Sequence, residues 1–65
     1  MREVYRVNLE TATLLDAART QRGRDELLRL ANLLRELVEA ETEDARQEIG
    51  GALALALYEI ERAAR

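Results

Sequence analysis

The stretch Ile49–Tyr58, IGGALALALY, decides how this 65-residue chain is read. It holds ten residues without a charge, and two readings compete for it. The alternation of Ala and Leu from Ala52 to Leu57 has the two-residue period of a strand. Ala and Leu are strong helix formers, however, and Ala is depleted in strands, so the stretch reads as helix. At 100° per residue, Ala45, Ile49, Ala52, Leu53, Ala56, Ile60 and Ala63 then fall on one face, which makes an ordinary core stripe. Gly51, Ala54, Leu55 and Tyr58 fall on another face, where a surface helix normally carries charge. Gly50 and Gly51 each cost roughly 1 kcal/mol against Ala inside a helix. That cost is understandable where another backbone comes close.

Outward from this stretch, Thr42 has the chemistry of an N-cap, with Glu43 and Asp44 in the positive first turn and Arg62 and Arg65 at the negative end. A helix is predicted over about 43–64. Before it, Leu27, Leu30, Ala31, Leu34, Leu37 and Val38 form a wide apolar stripe opposite Arg29, Asn32, Glu36 and Glu39, predicting a helix over about 25–40. Gly23 reads as the residue that closes the preceding helix, with Asp25 and Glu26 opening the next. The N-terminal third is ambiguous. Val4, Val7, Leu14, Leu15 and Ala18 share a helical face with Thr11, predicting a helix over about 3–22. Against that, EVYRVNLE alternates as a strand would, and Thr13 with Asp16 resembles a capping box that would begin a helix later. A lone strand needs a partner strand, which the rest of the chain does not offer. The fold expected is a single all-α domain, 1–65, built as a three-helix up-down-up bundle. The alternative is an N-terminal strand followed by two or three helices in a dimer. Connections of two or three residues make neighbouring helices antiparallel. No internal repeat, linker or low-complexity segment is apparent.

Composition narrows the chemistry. Lys, His, Cys, Trp, Phe, Pro and Ser are all absent, leaving thirteen residue types. Without Ser, Cys or His there is no ordinary nucleophile–base pair, and the commonest general base and transition-metal ligand are missing. The acids Glu41, Glu43 and Asp44 read as a solvated helix start, and Gly50-Gly51 lacks the strand–turn–helix setting and the Lys of a phosphate loop. The chain is therefore expected to be non-enzymatic, with no cofactor and no metal. Ten uncharged residues are too few to span a bilayer, which takes about 20. MREVYR has no apolar signal-peptide core. The expectation is a soluble, cytoplasmic protein without a membrane partner. Net charge is −3. Residues 1–24 hold five Arg against three acids, +2, and residues 25–65 five Arg against ten acids, −5. This asymmetry is too slight to make nucleic acid the expected partner.

What remains is apolar surface. Tyr5, Leu9 and Ala12 lie off the core stripe of the first helix, and Gly51, Ala54, Leu55 and Tyr58 off that of the last. Both tyrosines of the chain fall in these second faces, and Tyr is enriched at interfaces. These seven residues are the candidate protein interface, for a protein partner or a second copy.

Two resemblances accompany this reading. LLRLANLLRELVEAE (27–41), the Thr42-Glu43-Asp44 start, the Arg-ended last turn, the Gly23 break and the narrow alphabet resemble a computationally designed helical mini-protein over residues 23–65. That resemblance implies a binder presenting a rigid helix face to one protein. Tyr5-Arg6-Val7-Asn8-Leu9 is similar to the ribbon of the ribbon-helix-helix family, with Arg6 and Asn8 outward. Thr13–Arg22 and the stretch from Asp25 would be its two helices. It implies a dimeric DNA-binding regulator or antitoxin, with the acidic last helix free to hold a partner.

Overall fold

A computed structural model describes residues 9–65. The chain is an all-α three-helix bundle with no strand among the described residues. Helix α1 spans Thr11–Ala17, α2 Gln21–Glu39 and α3 Glu43–Ala63. Helices α2 and α3 form the principal contact, and α1 packs against both less extensively. The ion pair between Arg22 near the start of α2 and Glu59 near the end of α3 ties these distant ends together, as an antiparallel hairpin requires.

The last helix matches its expected bounds and cap. The Thr42 hydroxyl accepts a hydrogen bond from the Ala45 N–H at 3.1 Å, and Glu43 and Asp44 occupy the first turn. The front of the chain differs from expectation. The helix predicted over 3–22 is broken by a turn at 18–20, and its last predicted residues belong to α2. Residues 3–8 of that prediction lie outside the described residues. Helix α1 begins at Thr11, two residues before the proposed Thr13 cap, with Glu10 as an N-cap that makes no side-chain bond.

Gly23 closes no helix. It is buried in the first turn of α2, and no glycine has a positive φ. The cap of α2 is Thr20, whose hydroxyl accepts from the Gly23 N–H at 2.9 Å. A Cβ built on Gly23 would collide with the carbonyl group and Cα of Ala17. Glycine is needed here for close approach of two helices, not for a left-handed turn.

The two connections follow one local pattern that the sequence had not shown as a repeat. Thr20 and Thr42 cap their helices through Gly23 and Ala45, three residues on. Four residues after each cap, an arginine reaches back over it: Arg24 donates to the Ala18 carbonyl at 3.0 Å, and Arg46 to the Ala40 carbonyl at 3.3 Å. The pattern Ala-x-Thr-x-x-(Gly/Ala)-Arg thus pairs a first-turn N–H of the new helix, which has no partner within the helix, and a carbonyl at the end of the preceding segment with two side chains.

The core sits where the end of α1, the start of α2 and the second half of α3 converge. Ala17, Gly23, Ala56 and Ile60 are buried there, and among the described residues Ile60 is the largest side chain fully withdrawn from water. The α3 stripe read from the sequence faces inward throughout: Ala45, Ile49, Ala52, Leu53 and Ala63 are half-buried around Ala56 and Ile60. In α2 the stripe splits. Leu27, Leu30, Leu33 and Leu37 are half-buried, whereas Ala31, Leu34 and Val38, expected in the core, are exposed. The apolar arc of α2 is wider than α1 and α3 cover, so one edge is left exposed among the described residues.

Candidate protein-interaction site

The seven residues proposed from the sequence fare differently. Tyr5 lies outside the described residues. Leu9 lies two residues before α1 and is half-buried, and Ala12 is exposed in the first turn of α1. On α3, Gly51, Ala54 and Leu55 are exposed, Leu55 by 52%. Tyr58 is half-buried, and the Arg62 guanidinium stands 5.8 Å from its ring centroid. An Arg at that distance lies within cation–π range, so part of the tyrosine's interface-forming ring is already used inside the chain.

No other described element closely approaches the two glycines of α3. Beyond its chain neighbours and the local helix backbone, a Cβ at Gly50 or Gly51 would meet no atom of the described residues within 4 Å. Their helix-weakening effect therefore has no compensation among the described residues, in contrast to Gly23.

Sequence reasoning missed the most exposed large apolar side chains among the described residues, which belong to α2. Val38 is 85% exposed, Leu28 66% and Leu34 47%. With Ala31 and the half-buried Leu27 they run along one side of the helix at spacings of three and four. Leu15 of α1 is also exposed. The signal was present as two apolar lines in α2, Leu27-Ala31-Leu34-Val38 beside Leu30-Leu33-Leu37. A single stripe needs only one of them.

This side of α2 has both a hollow and a protrusion. Near its N-terminal end, Arg24, Leu27 and Leu28 are the described residues lining an open apolar depression of about 310 Å³. Near the other end stands Val38. Arg24 also bonds Gln21 and the Ala18 carbonyl. Elsewhere, Glu43 receives hydrogen bonds from Gln47 at 3.0 Å and Arg46 at 3.2 Å, which hold its carboxylate below the ordinary glutamate pKa. That effect stabilises a helix start in open solvent and builds no site.

Among the described residues no group of His, Cys, Asp or Glu is arranged to hold a metal ion, and no helix is long and apolar enough to cross a membrane. Compared with models of known protein families, with curated proteins and with solved structures, the chain matches none.

Proposed function

We propose that this chain is a non-enzymatic helical interaction module, completed by another protein surface laid over its open apolar faces. The observation supporting this is the imbalance between core and surface. Among the described residues, only Ala17, Ala56 and Ile60 are fully buried apolar residues, while Leu15, Leu28, Leu34, Val38 and Leu55 are exposed. Single exposed leucines are common on monomers. Five on so short a chain, several aligned along one helix, are what an interface leaves open when its partner is absent. The α3 face of Gly51, Ala54, Leu55 and Tyr58 remains a second candidate. It is smaller and partly closed by Arg62.

The test combines solution mass with an environment-sensitive apolar dye, measured on the whole chain across micromolar to millimolar concentration. A mass above the 7.4 kDa monomer supports assembly with itself. A monomer that binds the dye supports a face open to a different protein. A folded monomer that binds none has no uncovered apolar face and overturns the reading.

A further inference from the structure

We propose that α1 is an exchangeable element. The break at 18–20 straightens, α1 and α2 run on as one helix, and the displaced α1 seats between α2 and α3 of a second copy, whose own α1 seats on the first. The bent arrangement is the resting one. This goes beyond the interaction-module reading and does not rest on it, because the surface used is one that α1 already covers.

The break is made of residues that suit a helix. Ala17-Ala18-Arg19-Thr20-Gln21-Arg22 holds neither Gly nor Pro, and its Ala, Arg and Gln are strong helix formers. Ala18 keeps helical dihedrals, φ −69° and ψ −9°, whereas Thr20 is extended, φ −115° and ψ 155°. Local bonds hold the bend. The Thr20 hydroxyl accepts from the Gly23 N–H at 2.9 Å, the Arg24 side chain donates to the Ala18 carbonyl at 3.0 Å, and the Thr20 N–H donates to the Ala17 carbonyl at 3.3 Å. In a continuous helix each of these backbone groups finds a partner four residues along, so straightening orphans none of them. Gly23 lies within α2 either way, so its weak helix propensity does not distinguish the two arrangements.

The element released is the least anchored one. Helix α1 has seven residues and packs less extensively than α2 and α3 do on each other. It cannot stay undocked, because lifting it away exposes the buried Ala17 and opens the core at Ala56 and Ile60. A straightened chain therefore needs an α1 from elsewhere, and the vacated surface is already shaped to this sequence. The α1 of a second copy restores the same contacts, which is what makes exchange across a short hinge a low-cost route to a dimer. The connection between α2 and α3 is not a comparable hinge. Ala40 and Thr42 are both extended there, and opening it would part the principal contact of the bundle.

Two substitutions bias the break in opposite directions. Thr20→Ala removes a cap that only the bent arrangement uses. Proline is tolerated as the first residue of a helix and disrupts its interior. Gln21 is the first residue of α2, and Thr20 before it already has the extended backbone that a residue preceding proline adopts. Gln21→Pro is therefore compatible with the bend and blocks the continuous helix. The side-chain bonds it removes, to Asp25 and Arg24, are exposed.

The test compares the unmodified chain, Thr20→Ala and the double variant Thr20→Ala with Gln21→Pro, all as whole chains. Sedimentation from micromolar to millimolar concentration gives their masses, and circular dichroism their helicity. Thr20→Ala is expected to dimerise about thirty-fold more tightly than the unmodified chain, from one cap hydroxyl lost in each of two copies. Adding Gln21→Pro is expected to cancel that gain while the chain stays helical. Association through the open apolar faces is common to all three proteins, so its presence or absence leaves this comparison unchanged. Thr20→Ala associating no more tightly than the unmodified chain would overturn the proposal. A gain that survives Gln21→Pro in a helical double variant would also overturn it, because that dimer would form without a continuous helix.

Discussion

Gly23 lies against the backbone of Ala17 so closely that no side chain fits between them. This contact sets the angle at which α1 turns into α2. The Thr20 cap supports it, because the hydroxyl that accepts from the Gly23 N–H also lies 3.5 Å from the Ala17 carbonyl oxygen. One turn of chain thus combines a cap, a close approach and the edge of the core.

Replacing Gly23 with Ala should therefore destabilise the fold, although Ala gains about 1 kcal/mol of helix propensity. The added carbon meets backbone rather than a movable side chain, so the turn itself must shift. A loss of about 2–3 kcal/mol is expected, in the upper range for overpacking. Denaturant unfolding of Gly23→Ala measures it, and unchanged stability would show that the turn yields easily.

Gly50→Ala and Gly51→Ala should act in the opposite direction. Both positions are helical and open, so each substitution should add about 0.5–1 kcal/mol. Thermal melting at low protein concentration reads the effect. A loss of stability would reveal close contact with something outside the described residues.

The two threonine caps make a matched pair. Thr20→Ala and Thr42→Ala should each lower stability by about 1 kcal/mol, the usual value of an N-cap hydroxyl. Serine at either position should restore most of that loss, since the bond uses the hydroxyl alone. Failure of serine to rescue would place the effect in the threonine methyl group instead.

Acid should weaken the start of α3. The Glu43 carboxylate is held below its ordinary pKa first by Gln47 and then by Arg46. A depressed carboxylate contributes stability that is complete above the unfolded-state value and is lost as pH falls through the folded-state value. Stability should decline on acidification through the glutamate range, and Glu43→Gln should flatten that part of the profile. An unchanged pH profile in Glu43→Gln would assign the acid sensitivity to other carboxylates.

Much of this architecture was legible because its signals are local. Thr42 followed by Glu43 and Asp44 marks a helix start by its own chemistry, and the α3 stripe around Ala56 and Ile60 needs only helical periodicity. Gly23 misled because glycine carries the same sequence signature whether it ends a helix or admits a neighbour. Only the position of Ala17 distinguishes the two, and that is a tertiary fact. The open side of α2 was hidden for a related reason. Leu34 and Val38 are apolar at helical spacing, as core residues are, but which edge of a wide stripe meets α3 depends on how the hairpin rotates. On α3, Gly51, Ala54 and Leu55 were placed on an outward face and are exposed, whereas Tyr58 is drawn in beneath Arg62.

The most direct measurement is sedimentation equilibrium together with apolar-dye binding, for the unmodified chain beside Val38→Arg, with helicity followed by circular dichroism. The unmodified chain should either sediment above 7.4 kDa or, as a monomer, bind the dye. Val38→Arg should remain helical, sediment as a monomer and bind less dye. Equal mass and equal dye binding for the two proteins would contradict an interface on the open face of α2.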